Sequence, residues 1–190
     1  MHMDISREKA WETLNRHVAS PVLLKHCLAV EVAMRAYAEK FGEDSEYWGA
    51  VGLLHDVDFE KYPDEHPTHA REILQEHGYD AEMATHVESH ARDWPGERTL
   101  LQKTLLAVDE LTGFIIACAL VRPDKSLDNL EVKSVMKKMK DKAFAKAVNR
   151  ETILISAADM GVDLKEHIAF VTGALAAAVK QPEYQYLALG

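Results

Sequence analysis

The stretch SPVLLKHCLAVEVAMRAYAEKFG, residues 20–42, decides the fold class. It opens with serine then proline: an N-cap, followed by a residue whose missing N–H costs nothing in the first turn. Apolar side chains recur at 23, 24, 27, 28, 30, 34, 37 and 41, the spacing of one helical face, and Gly42 supplies the stop. Working outward, the same signals predict a helix over 6–17 capped by Ser6. Others are predicted over 45–54, 68–77, 81–91 (capped by Asp80), 97–121, 130–148, 150–160 and 163–179. The polar connection 55–67 and the Trp94-Pro95-Gly96 turn punctuate them. No alternating run is bounded by turn residues, and the β-branched segment 151–156 is too short to outweigh its helical context. The expectation is an all-α, single-domain helical bundle of about eight helices over 1–181. Residues 182–190 form a tail, loose or docked on a neighbour.

Composition supports this reading and removes several classes. Apolar residues are 47% and charged residues 28% of 190, a globular balance rather than a disordered one. Glycine and proline are few, 9 and 6, as expected of long helices with few turns. Cys27 and Cys118 lack the close spacing of a zinc or redox pair, so a reducing, cytoplasmic setting is expected. The N-terminal residues carry no apolar signal core. The longest apolar stretch, 114–121, is far short of the ~20 residues that span a bilayer. A net charge of −9 argues against a nucleic-acid polymer as partner.

The charged and titratable residues are distributed unevenly. Seven of the ten histidines lie between His26 and His90. His55 and Asp56 stand side by side after the apolar run 45–54, where a bend at a helix end lets both side chains reach one site. His26 lies on or beside the apolar face of the 20–42 helix. Asp109 sits in LLAVDELTGFII, the most apolar helix of the chain. A carboxylate there is expensive unless paired or bound to a metal. Three such placements on three helices, all of metal-ligand type, are better explained together than separately, and His/Asp donors suit Mn, Fe, Zn, Ni, Co or Mg.

The order His26, His55-Asp56, Asp109 resembles the H…HD…D pattern of the HD-domain superfamily, and LLHDVD is similar to its LLHDIG signature, with Val57 for Ile and Asp58 for Gly. The resemblance covers roughly residues 21–121. It implies an all-helical, metal-dependent phosphohydrolase acting on a phosphomonoester, nucleotide or cyclic nucleotide, with a divalent metal on His26, His55, Asp56 and Asp109. HPTHAREIL and SHARDWPG resemble segments around two further ligands of relatives with two metals. That nominates His66 and His90, with His69 and His86 as near alternatives. Ala91, the absent GYP motif and Phe59 depart from the relatives that cleave cyclic di-GMP. One or two metals per chain are expected. A divalent ion would activate water for the hydrolysis. Asp56, Asp58 and Lys61 are the candidate catalytic residues.

Residues 131–150 carry seven basic and two acidic side chains, a local excess of +5 on an acidic protein. Arg122, Lys125, Lys133 and Lys137, with Arg92 beside His90, are therefore candidate contacts to a small phosphorylated substrate. Two other readings fit the ligand set: an HD-fold di-iron oxygenase, and a non-catalytic metal- or ligand-binding module. The apolar run 174–179 and the YQYLAL tail pack either on the domain itself or on a second copy, which leaves a homodimer open.

Overall fold

The computed structural model describes residues 4–91 and 93–189, and among these residues there are helices and turns but no strand. In chain order the helices are α1 (Arg7–His17), α2 (Pro21–Phe41), α3 (Ser45–Leu54), α4 (Ala70–Glu76), α5 (Ala81–Glu88), α6 (Leu100–Leu120), α7 (Val132–Met139), α8 (Arg150–Asp159) and α9 (Leu164–Ala178). A 3₁₀ turn, Pro182–Leu187, follows. The fold is all-α, as the periodicity requires.

Capping sets most of the boundaries. The hydroxyls of Ser6 and Ser20 and the carboxylates of Asp44, Asp80 and Asp163 each accept from backbone N–H groups in the first turn of their helix. Thr99 and Gln102 form a reciprocal capping box. It starts α6 at Leu100, later than the apolar pattern alone suggests.

The long helix α2 is the centre of the molecule, buried along most of its length and packed by α3, α6 and α9. Its contact with α3 is close because of Gly52. A Cβ there would lie 2.9 Å from Met34 Cγ and 3.1 Å from the Val30 carbonyl, so only glycine allows this approach. The C-terminal end of α3 is thereby laid against the His26 turn of α2. On the other side, His167 of α9 is fully buried. Its Nε2–H donates to the Ala107 carbonyl of α6 (3.0 Å), and its Nδ1 accepts from Tyr37 of α2 (2.6 Å). It is a satisfied core histidine that ties three helices together.

Three segments depart from expectation. The 130–148 helix is broken: α7 ends at Met139 and turns occupy 142–147. Asp141 folds its carboxylate onto Ala143 N (3.0 Å), and Ala145 adopts a positive φ of 41°. The Arg150 guanidinium gathers the carbonyls of Asp141, Phe144, Ala145 and Val148. The 81–91 helix stops at Glu88, because Ser89 Oγ and His90 Nδ1 both fold back on carbonyls of the last turn. The C-terminal residues up to 189 dock on the domain itself. Tyr184 and Leu187 are buried, and the Tyr184 hydroxyl donates to Glu31 of α2 (3.1 Å). The same Glu31 oxygen accepts from Arg7 and Arg35, each at 2.8 Å, which clasps both chain ends to α2.

Candidate metal centre

Six side chains from five places in the chain converge. His26 projects from the second turn of α2. His55 caps α3, and Asp56 follows where the chain leaves the helix. His66 lies in the turns before α4, His90 just beyond α5, and Asp109 mid-way along α6. His26 Nε2 lies 3.1 Å from His55 Nε2, 3.1 Å from Asp109 Oδ1 and 3.5 Å from Asp56 Oδ2. His55 Nε2 is 3.3 Å from Asp56 Oδ1 and 3.6 Å from Asp109 Oδ1. Next to this group stands a second one. His66 Nε2 is 2.8 Å from His90 Nε2 and 3.2 Å from Asp56 Oδ1, and His90 Nε2 is 3.7 Å from the same oxygen. Two triads, His26–His55–Asp56 and Asp56–His66–His90, therefore share one carboxylate.

The rings are aimed from behind. His55 Nδ1–H donates to the Gly52 carbonyl (2.8 Å), His90 Nδ1–H to Val87 (2.5 Å), and His66 Nδ1–H to Asp58 Oδ1 (2.6 Å). These bonds set the tautomer and leave Nε2 of each neutral ring a bare lone pair pointing into the cluster. With both rings neutral in this tautomer, His66 Nε2 and His90 Nε2 face one another at 2.8 Å with no hydrogen between them, a repulsion that protonation of His66 or a bound cation relieves. Bonds of about 2.1 Å to a divalent ion place neighbouring donors about 3.0–3.4 Å apart, close to the separations found here. The donor set fits metal ions on chemical grounds as well, four imidazoles and two carboxylates with no thiolate.

Charge coupling within the cluster is strong. Burial opposes a charge on His66, but hydrogen bonds to Asp56 and Asp58 outweigh it and raise its pKa to about 9. Burial likewise opposes charge on His55, and the two aspartates carry it well above the ordinary value. Burial alone would raise Asp56 and Asp109; their histidine neighbours hold both far below the carboxylate range. His90, buried and facing His55, is pushed down to about 4.

The cluster opens into a cavity of about 570 Å³, lined by His26, Asp56, His66, His90 and Asp109 and walled by Phe59, Pro67, Gly113, Ala147 and Val148, with Asp93 and Glu110 also exposed to it. Glu110 accepts from Asn149 N (3.0 Å), so the segment ahead of α8 is tied to the helix that bears Asp109. The chain around His90 is held by Arg98, whose guanidinium donates to the Ser89 (2.9 Å) and Ala91 (2.6 Å) carbonyls.

The other nominated residues are placed differently. Asp58 is fully buried, its two oxygens spent on His66 Nδ1 and the His69 amide. Lys61 is exposed over the Tyr62 ring, outside the cavity. Glu60 caps α2 through Ala19 N and Ser20 N. His69 pairs with Glu65 and stacks on Tyr62; His86 bonds the Tyr47 hydroxyl. Neither of these histidines joins a donor group. Arg92 lies outside the described residues. Arg122, Lys125, Lys133 and Lys137 do not line the cavity. The reason is helical length: α6 runs on for eleven residues from Asp109 to Leu120, roughly 16 Å along its axis. Arg122 there bonds Asp124 and the carbonyls of Asp128 and Asn129, and Lys125 is exposed in the following turn. Lys133 and Lys137 line a separate groove with Lys140 and Lys165.

The cavity walls Gly113, Ala147 and Val148 were not legible as site residues, because 147–148 reads as the end of a helix. The one local signal is Asp141 within the lysine run, a residue that favours turns over helix interiors. No helix of the described residues is long and apolar enough to cross a membrane.

Comparison with known proteins agrees with this geometry. Neither the curated proteins nor the solved structures compared contain a match to the chain. The HD domain family model matches residues 23–160, a span that holds all six converging side chains. A family match over most of the chain, and a His/Asp cluster of metal-binding type within it, together establish that this protein belongs to the HD-domain family.

Proposed function

We propose that this protein is a metal-dependent phosphohydrolase that cleaves a small phosphomonoester. The observation that carries the reading is the pair of triads sharing Asp56 at one end of a solvent-accessible cavity. His26, His55, Asp56 and Asp109 would hold one divalent ion, and Asp56, His66 and His90 a second. Ions held there supply Lewis acidity towards phosphoryl oxygens and lower the pKa of water from ~15.7 towards ~7.

The chain's own residues set the geometry in which this chemistry takes place. The Gly52 and Val87 carbonyls and Asp58 lock three imidazoles in one tautomer, so the donors need not reorganise. Asp56, with Oδ1 facing His55, His66 and His90, makes the two halves one unit. Phe59, Pro67, Ala147 and Val148 wall the cavity, so a phosphoryl group meets the donors from its open side.

The test is elemental analysis of protein purified without chelator or metal-affinity resin, followed by assay on a phosphomonoester panel with Mn, Co, Ni, Mg and Zn. Two metals per chain and phosphate release are expected. Asp56→Ala is expected to lose both ions and at least about 1000-fold in kcat/KM, the worth of several kcal/mol of charge stabilisation. Full activity in that variant would falsify the assignment. Bound iron with oxygen uptake and no phosphate release would replace the reading with an oxygenase.

A further inference from the structure

Gly113 is a glycine in the interior of a 21-residue helix, with no turn, cap or kink to explain it. Glycine at such a position weakens a helix relative to alanine. Close packing does not require it either: a Cβ built there meets no atom within 4 Å outside its own helix. By contrast, a Cβ at Gly49 or Gly52 would collide with α2 side chains.

The empty space lies beside the metal centre. Gly113 follows Asp109 by one helical turn, on the same face of α6, and lines the same cavity. Across the gap stand Ala147 and Val148. The gap is bracketed by its immediate neighbours. Glu110, three residues before Gly113, holds Asn149 N. Phe114, next to it, meets the Phe144 ring edge-on at 5.6 Å and carries the Arg150 guanidinium on its face. Arg150 in turn fixes four carbonyls of the opposing segment. The segment is thus pinned to α6 at Phe144 and at Asn149, on either side of Ala147–Val148, and the described residues leave the slot open.

We infer that Gly113 is a specificity-determining residue, and that the slot between it and Ala147–Val148 receives the organic part of the substrate while the phosphoryl group sits on the His/Asp cluster. The residues at 113, 147 and 148 are small or apolar, and the carboxylates Asp93 and Glu110 on the same cavity disfavour an anion, so the substrate class is a phosphomonoester with a compact organic group free of negative charge. This inference rests on the phosphohydrolase reading for its substrate, but the slot can be tested without turnover.

The experiment compares the full-length protein with Gly113→Ala, Gly113→Leu and Gly173→Ala. Gly173 is an α9 glycine whose Cβ position is also open, away from the cluster. Metal content, thermal stability and the thermal shift given by methylphosphonate and phenylphosphonate are read on metal-loaded protein. Both alanine variants are expected to gain about 2–4 °C in Tm. Gly113→Leu keeps the wild-type metal content and its methylphosphonate shift but weakens phenylphosphonate at least tenfold. Gly173→Ala changes neither ligand. On turnover, the kcat/KM ratio of phenyl to methyl phosphate falls at least tenfold in Gly113→Leu alone. Size-selective phosphonate binding without any phosphate release overturns the hydrolase reading and keeps the slot. Equal loss of both phosphonates, loss of metal, or no change in Gly113→Leu overturns the slot. Failure of the wild type to bind either phosphonate overturns both.

Discussion

Asp58 stands two residues after the His55-Asp56 pair, yet it has no access to solvent and faces the far edge of the His66 ring. Its oxygens fix His66 Nδ1 and the His69 amide, so in the proposed site it would position a ligand from behind. Asp58→Asn keeps the shape but replaces a charge-assisted bond with a weaker one, in which the amide can also turn its NH₂ towards the ring. Loss of such a partner typically costs 10–100-fold in metal affinity. Stoichiometry in the presence of a competing chelator is expected to fall from two metals per chain to one. A variant that retains both with wild-type affinity would remove His66 from the ligand set. At this scale the sequence was informative about ligands and silent about support. His26, His55, Asp56, His66, His90 and Asp109 carry their chemistry in their identity. Gly52 O and Val87 O are backbone groups, which no residue type announces.

Among the elements, α2 binds the two chain ends through a buried ion cluster. Glu31 has no exposed surface, and one of its oxygens takes Arg7, Arg35 and Tyr184 together. Replacing Glu31 weakens three charge-assisted bonds at one buried oxygen, although Arg35 keeps Glu46 and Arg7 reaches solvent, at a cost of about 3 kcal/mol in all. Glu31→Gln is therefore expected to lower Tm by roughly 6–12 °C, for a chain in which each kcal/mol is worth ~2–4 °C. It should also expose the 3₁₀ turn Pro182–Leu187 to proteases. An unchanged Tm and digestion pattern would show that the clasp is dispensable. The boundaries of α1, α2 and α3 follow from caps that are visible in the sequence. The C-terminal ends of α5 and α7 do not. His90 is pulled out of helix by the very bond that aims it, and the 142–147 turns depend on Arg150 collecting carbonyls from a segment that precedes it. The basic run 131–150 is spread over α7 and these turns, and its two candidate phosphate contacts, Lys133 and Lys137, lie on a groove of their own.

For the whole molecule, the metal centre is also a junction. Its donors come from α2, the end of α3, the turns before α4, the end of α5 and α6, so ions bound there cross-link most of the bundle. In the unfolded chain these donors are scattered over 84 positions, His26 to Asp109, and binding is correspondingly weak. Metal at about 1000-fold above its Kd should stabilise the fold by about 4 kcal/mol, or roughly 8–16 °C in Tm. Chelator treatment is expected to lower Tm by that amount, and Mn or Zn to restore it. A Tm indifferent to chelator and to added metal would mean that the six side chains do not form a metal site.

Local physics was sufficient for much of this: periodicity, caps and the scarcity of glycine and proline determine an all-α chain, and residue type together with the HD-domain resemblance nominates the six donors. Those properties act within a turn or two of helix, and they are written in consecutive residues. The tertiary structure alone decided that Asp56 is shared between two triads and that His66 and His90 are brought together while His69 and His86 are engaged elsewhere. It also decided that the lysines lie away from the cavity and that Gly113 faces an open slot. Each of those depends on distances between residues tens of positions apart, set by how α2, α3 and α6 pack, and by the length of α6 beyond Asp109.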